Sequence, residues 1–296
     1  TICLSQQPDP LLSTNPILQQ KWVDSVYQSM SLDQKIGQLF IPMVFSKKGD
    51  EHFDEIKNLI QKYYIGGLVF SLGGPVKQSH WLNKFQAISK VPLLISMDAE
   101  WGVAMRLDSL VAFPWSMTLG AIKENTIVRK IGQRMGEQEK ILGVHMSYAP
   151  VLDINTNPQN PIIGNRSFGE DPKRVAEKGL ALMLGHHDAG ILTSGKHFPG
   201  HGDTAKDSHK TLPTVRFDRS RLEKTEMLPF KKAIEQGLSS IMTAHLNVPA
   251  LTLSDLPTSL SHAAVTQLLK QNIGFNGLAI TDALNMKGAE PNNPDS

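Results

Sequence analysis

The stretch that decides the fold is DPKRVAEKGLALMLGHHDAGILTSGKHF, residues 171–198. Residues 171–190 have the apolar spacing of an amphipathic helix. The apolar run 191–198 follows directly and ends in the polar pair Lys196 and His197. A helix that leads into a strand buried on both faces is the repeating unit of a parallel α/β fold.

The same alternation of helix and strand patterns repeats along the chain. Continuous apolar runs predict seven strands, at residues 39–45, 67–71, 91–98, 145–154, 191–198, 239–246 and 277–284. Amphipathic stretches lie between them, at residues 53–64, 125–143, 171–190, 221–237 and 261–274. This order predicts an α/β protein with a parallel sheet.

Polar residues stand where the apolar runs end, namely Asp98, Asp153, Lys196 with His197, His245 and Asp282. The carboxyl ends of the strands carry the active site in a (β/α)8 barrel, and they also bind ligands in a doubly wound sheet. No G-x-G-x-x-G opens a helix after an early strand, and no G-x-x-x-x-G-K-[ST] is present. We therefore favour a TIM-type (β/α)8 barrel.

The ends of the chain differ in character from the middle. Residues 1–20 contain three prolines and predict an extended arm, and the barrel is expected over residues 21–296. In the helical pattern that follows the arm, Ser31 or Asp33 is the expected N-cap of a second helix. The residues after Leu284 are polar and rich in turn formers, so we expect a barrel truncated at the C-terminus, without its last strand and helix.

Composition excludes several classes of function. The 296 residues carry 30 basic and 28 acidic side chains and no basic run, so charge gives no argument for a nucleic-acid partner. No apolar run approaches the roughly 20 residues of a membrane span. Cys3 is the single cysteine, which excludes a disulfide framework within one chain. The opening TICLSQQ favours export to the periplasm or beyond, with a cytoplasmic location as the alternative.

The stretch KHFPGHGDTAKDSH, residues 196–209, concentrates titratable side chains in one loop. Each histidine alone is more often a surface or core residue than a functional one. His197 and His201 are four residues apart, but Pro199 and Gly200 prevent a helix from aligning them on a metal. H-E-x-x-H and G-x-S-x-G are both absent, so we expect neither a metal, nor an organic cofactor, nor a serine nucleophile.

With metal and serine chemistry set aside, acid–base catalysis remains as the chemistry of this loop. Asp207 and His209 are two residues apart, so a carboxylate can orient an imidazole that then acts as acid and base near neutral pH. Asp282 ends the seventh strand pattern, where a carboxylate could attack a sugar's anomeric carbon.

These segments resemble glycoside hydrolase family 3, and specifically its β-N-acetylglucosaminidase branch. The resemblance covers nearly the whole chain, and KHFPGHG followed by DSH is its most specific part. It also includes the segments DQKIGQLF, LLISMDAEWGVAMRL, YAPVLDIN, IIGNRSFGEDP and AITDALNM. Trp101 and Val103 depart from the pattern, because many members have glycine and arginine there.

The resemblance implies roles for individual residues. Asp282 would be the nucleophile, and His209, paired with Asp207, would be the general acid and base. The residues expected to bind the sugar are Asp98, Arg106, Arg166, Lys196, His197, His201 and Met286.

The implied activity is that of a retaining exo-β-N-acetylglucosaminidase. Terminal β-linked N-acetylglucosamine would be removed from peptidoglycan fragments, as in peptidoglycan recycling, or from chitooligosaccharides, through a covalent glycosyl-enzyme. Three alternatives remain open: a phosphorylase that uses phosphate in place of water, an inactive carbohydrate-binding fragment, and a metal-dependent amidohydrolase. Further domains C-terminal to the barrel are also expected in a longer protein.

Overall fold

The strands form one parallel sheet. A computed structural model describes residues 11, 13–204, 208, 211–252 and 256–290. Within these residues the sheet has seven strands in chain order, each paired with the next. The strands are β1 (Met43–Phe45), β2 (Gly67–Ser71), β3 (Leu94–Met97), β4 (Met146–Ser147), β5 (Leu192–Phe198), β6 (Ser240–Thr243) and β7 (Leu278–Thr281).

Helices connect successive strands. The α-helices are α1 (Pro16–Ser29), α2 (Leu32–Gly37), α3 (Asp50–Tyr63), α4 (Pro75–Ile88), α5 (Ser116–Ala121), α6 (Asn125–Ile141), α7 (Pro172–Ala189), α8 (Arg219–Lys224), α9 (Leu228–Glu235) and α10 (Pro249–Thr252). Short 3-10 turns span Val103–Met105, Gly164–Arg166, Thr258–Leu260 and Lys287–Ala289, and a π-helical segment spans Ala263–Asn272. None of the described helices is long and apolar enough to cross a bilayer.

The strands alternate between two apolar layers. Leu68 and Phe70 of β2 pack outward with α3 and α4, whereas Val69 between them packs with Met146 and Met242 on the inner face of the sheet. Successive side chains of a pleated strand point to opposite faces of the sheet, so the two layers alternate along β2. On the inner face Val69, Met146 and Met242 are buried, whereas Leu278 and Ile280 of β7 are only partly buried.

The barrel-type fold predicted from the sequence is confirmed, including the absence of an eighth strand from the described residues. All seven strands lie within the predicted runs, but β1, β3, β4, β6 and β7 are shorter than predicted. The runs of β6 and β7 contain no proline, and pairing still covers only half of each run. In the runs of β1 and β4, Pro42 and Pro150 have no N–H to donate to the ladder. Pairing resumes beyond Pro150 as an isolated bridge between Val151 and Lys196.

Several helix boundaries differ from the sequence expectation. Helix α1 begins at Pro16, inside the predicted arm, because proline suits the first turn and Asn15 accepts from the Leu18 N–H. Ser31 is the N-cap of α2 and forms a capping box with Gln34. The amphipathic stretch 221–237 contains two helices, α8 and α9, and Pro229 lies in the first turn of α9.

Helices α6 and α7 approach each other closely. A Cβ on Gly185 would lie 2.1 Å from the carbonyl oxygen of Arg129, so only glycine permits this contact. The contact buries Glu139 of α6 and His186 of α7 completely between the helices and the sheet. Two titratable side chains therefore lie in the core, remote in sequence from the strand-end residues.

Candidate active site

Lys196 is the centre of a charged cluster at the carboxyl ends of the strands. Its Nζ donates to Asp98 Oδ1 at 2.6 Å and lies 2.8 Å from Glu100 Oε1. The side chain is only 2% exposed. Burial alone would lower the pKa of Lys196, but the two carboxylates outweigh burial and the pKa is raised. The ammonium is therefore charged at neutral pH.

Asp98 follows β3 and binds two cations. Its Oδ1 accepts from Lys196, and its Oδ2 accepts from Arg106 Nη2 at 2.7 Å. Burial acts to raise the pKa of the Asp98 carboxyl, but Lys196 and Arg106 outweigh it and the pKa is lowered. Asp98 is thus an ionised acceptor, and 21% of its side chain is exposed at the edge of the cluster.

Glu100 was not singled out from the sequence as a site residue, yet it connects two loops. Arg166 donates to both of its carboxylate oxygens, from Nε at 2.9 Å and from Nη2 at 2.7 Å. Burial acts to raise the pKa of Glu100, but Lys196 and Arg166 lower it far more. The sequence contained a signal that Glu100 is a site residue, because it lies two residues after Asp98 at the end of a predicted strand.

Asp153 holds the end of β5 in place. Its carboxylate accepts from the backbone N–H groups of His197 and His201 and from the His197 ring at 2.7 Å. Arg166 can only donate, and its Nη2 lies 3.3 Å from His197 Nε2. His197 therefore carries its proton on Nδ1, directed at Asp153. The sequence marked Asp153 as a strand-end residue but gave it no role.

His201 lies behind the cluster. It is 2% exposed, and its Nδ1 and Nε2 contact Thr204 Oγ1 at 2.7 Å and Ser208 Oγ at 3.1 Å. Burial lowers the pKa of His201 to about 4, despite the nearby charges of Asp153 and Asp282. This neutral, fully bonded imidazole suits the support of a loop, and its expected contact with sugar stays a prediction.

Asp282 directly follows β7. Its backbone N–H donates to the Thr243 carbonyl at 2.9 Å, and its Oδ1 accepts from the Ala283 N–H at 2.8 Å. His245, at the end of β6, contacts the Ala283 carbonyl through Nε2 at 3.0 Å. Two strands therefore fix the backbone around Asp282, and the residue remains partly exposed.

The acid–base pair predicted from the sequence, Asp207 and His209, lies outside the described residues. Ser208 between them is described, and its carbonyl accepts from the Gly288 N–H at 3.0 Å. Met286, which precedes Gly288 in the segment after β7, is 7% exposed. Ser208 thus contacts both the β5 loop, through His201, and the segment that carries Asp282.

The cluster alternates carboxylates with cations. Asp98 and Glu100 pair with Lys196, Arg106 and Arg166, and Asp153 pairs with His197, so several charge-assisted donors and acceptors meet without large net charge. Such a surface can bind the vicinal hydroxyls of a sugar. No three His, Cys, Asp or Glu side chains among the described residues are placed to hold a metal ion.

Comparison with known proteins identifies relatives over most of the chain. Residues 31–293 match the family described as Glycosyl hydrolase family 3 N terminal domain. β-Hexosaminidase A of Pseudoalteromonas piscicida is 35% identical over 79% of this chain and 43% of its own length.

Solved structures agree in fold. A family 3 β-N-acetylglucosaminidase from a Paenibacillus species superposes with a TM-score of 0.83 at 38% identity, over 88% of this chain and 51% of that one. The β-glucoside phosphorylase BglX superposes with a TM-score of 0.89 at 28% identity, over 97% of this chain and 52% of that one.

The chain spans about half the length of these three relatives. The match nevertheless covers the whole sheet and every strand-end residue of the cluster. The chain therefore belongs to glycoside hydrolase family 3 and contains that family's N-terminal domain.

Proposed function

We propose that this chain is the catalytic domain of a retaining exo-β-N-acetylglucosaminidase. The observation that carries the proposal is the connected cluster of Asp98, Lys196, Glu100 and Arg166 at the strand ends, with Asp282 on the same face. Relatives named as a β-hexosaminidase and a β-N-acetylglucosaminidase support the choice of sugar.

The cluster would bind the terminal N-acetylglucosamine residue. Asp98 offers an ionised acceptor, while Lys196 and Arg106 offer donors beside it. Because these side chains already hold one another, little side-chain entropy is lost when hydroxyls replace solvent at the exposed edge of Asp98.

Asp282 would act as the nucleophile. Its carboxylate attacks the anomeric carbon while the glycosidic C–O bond breaks, and His209 gives a proton to the departing oxygen. Water then attacks the covalent glycosyl-enzyme, His209 takes the water's proton, and Asp282 is released. Asp207 would orient and stabilise the protonated His209 ring.

The first experiment is hydrolysis of 4-nitrophenyl N-acetyl-β-glucosaminide by the 296-residue chain, beside the matching glucoside. We expect release from the N-acetyl substrate alone. Asp282→Asn should lower kcat by on the order of a thousandfold or more while sugar binding persists. Near-normal turnover by this variant would exclude Asp282 as the nucleophile, and equal release from both substrates would exclude the proposed specificity.

A phosphorylase is the second candidate. It is favoured by the superposition on a β-glucoside phosphorylase over 97% of this chain. Adding inorganic phosphate should then accelerate turnover and yield a sugar 1-phosphate, whereas a hydrolase yields free sugar at the same rate. Sugar binding without turnover in either condition would instead identify a carbohydrate-binding fragment. The natural substrates we propose are chitooligosaccharides or N-acetylglucosaminyl peptidoglycan fragments.

A further inference from the structure

Two tryptophans stack on each other in the loop between β3 and α5. The ring centroids of Trp101 and Trp115 are 4.3 Å apart and the rings are 10° from parallel. Trp115 keeps 43% of its surface exposed although one of its faces is covered by Trp101. Tryptophan is enriched at binding surfaces, so an exposed stacked pair is a candidate ligand-binding surface.

The backbone of the loop forms hydrogen bonds that do not involve the indole rings. Its backbone is held by the Phe113 N–H on the Trp101 carbonyl at 3.0 Å and by the Asp108 N–H on the Gly73 carbonyl at 2.9 Å. Val103 and Leu107 anchor it in the core, at 1% and 3% exposure. The exposed indole of Trp115 is therefore available for another role.

The pair lies beside the charged cluster. Trp101 directly follows Glu100, so their Cα atoms are about 3.8 Å apart. Trp115 directly precedes α5, which packs against the 3-10 turn that ends in Arg166. Glu100 and Arg166 form the ion pair of the cluster, so the stacked pair borders the site where the terminal sugar would bind.

The neighbouring charges select the class of ligand. Lys196, Arg106 and Arg166 are each already paired with Asp98 or Glu100. An acidic peptide would need cations that are not already committed, whereas a neutral pyranose needs an apolar surface for its C–H face and a few polar groups at its edge.

We propose that Trp101 and Trp115 bind the second sugar ring of a β-linked N-acetylglucosamine oligosaccharide. This inference rests on the proposed function, because the first ring must occupy the cluster of Asp98 and Lys196. It commits the domain to chitooligosaccharides rather than to acidic muropeptides.

The test is calorimetric binding of chitotriose, of an N-acetylglucosaminyl muropeptide and of N-acetylglucosamine to the Asp282→Asn chain, with and without Trp115→Ala. Trp115→Ala should weaken chitotriose binding about five- to tenfold and leave the monosaccharide unchanged. Trp115→Phe should restore most of the loss, since it keeps an aromatic face. The control is Trp22→Ala, because Trp22 is also exposed, at 55%, but lies on α1.

Three outcomes would overturn the inference. The first is chitotriose affinity unchanged by Trp115→Ala, and the second is tighter binding of an N-acetylglucosaminyl muropeptide than of chitotriose. The third is a lower Tm for Trp115→Ala with an unchanged preference for chitotriose over the monosaccharide, which would mean that the stack is only structural. Hydrolysis of the aryl substrate by the unmodified chain is measured separately, so failure of the stack and failure of the proposed function are distinguishable.

Discussion

Replacing the buried Glu139 by glutamine should stabilise the protein at alkaline pH and hardly at all at pH 5. Glu139 is fully buried on α6, and its Oε1 accepts from Ser147 Oγ at 2.7 Å. Burial raises the pKa of Glu139 from 4.5 to about 8, although the bond from Ser147 acts to lower it. The carboxyl is therefore protonated in the folded chain at neutral pH.

The contacts of His186 are consistent with an uncharged Glu139 carboxyl. His186 Nδ1 lies 2.9 Å from the Leu182 carbonyl and must donate to it, so Nε2 has no proton. This bare nitrogen faces Glu139 Oε2 at 3.8 Å. Burial also lowers the pKa of His186 to about 4, so the two groups face each other uncharged at pH 7. A glutamine amide fits the same positions, since its oxygen can accept from Ser147 and its nitrogen can face His186.

The magnitude follows from proton linkage. Between pH 4.5 and 8 the unfolded chain has Glu139 ionised and the folded chain must protonate it, so stability falls as pH rises. Each pH unit above 4.5 lowers the free energy of unfolding by about 1.4 kcal/mol. The loss caused by Glu139 at pH 7 is therefore at most roughly 3 kcal/mol. We expect Glu139→Gln to gain about 1–3 kcal/mol at pH 8 and little at pH 5. The contribution of His186 is lost only as pH falls from 6.5 toward 4, so it does not produce a difference that grows from neutral pH to pH 8.

The assay is urea unfolding of both proteins from pH 5 to 8.5. Glu137→Gln on the same helix is the control, because Glu137 forms an exposed pair with Arg134 and should change stability by less than about 1 kcal/mol. A difference between Glu139→Gln and the unmodified chain that does not grow with pH would refute the neutral buried carboxyl. So would a variant that is less stable at pH 8.

The remaining predictions concern packing and the charged cluster. Gly120→Ala should cost about 1–3 kcal/mol or more, since the new Cβ would lie 1.8 Å from the Phe168 carbonyl oxygen, whereas Gly49→Ala meets nothing within 4 Å. Thermal unfolding measures this cost, since each kcal/mol lowers Tm by about 2 °C. Equal Tm values for Gly120→Ala and Gly49→Ala would contradict the prediction. Lys196→Met should cost about 3–5 kcal/mol of stability and nearly all activity, because it leaves buried carboxylates without their shared cation. Full aryl-glycoside hydrolysis by this variant would contradict its place in the site.

The sequence determined the class of fold and the positions of most strands. Strands buried on both faces are continuous apolar runs, and such runs can be recognised without knowing what packs against them. The sequence did not determine their lengths, because hydrophobicity reports which residues are buried and not which of them pair in the ladder, as the shortened β6 and β7 show. Helix α4 was missed, although Gln78, Trp81, Leu82 and Phe85 follow helical spacing, because a buried glutamine weakens the apolar pattern.

The sequence also identified the loop and strand ends that carry Asp98, Lys196 and Asp282, because those side chains have no reason to follow a buried strand unless they face a site. Only the tertiary structure decided which of them meet. Glu100 became a bridge between Lys196 and Arg166, and Asp153 became the support of His197. Those contacts join residues from 44 to 96 positions apart, and no local spacing encodes a separation that depends on how parallel strands are aligned side by side.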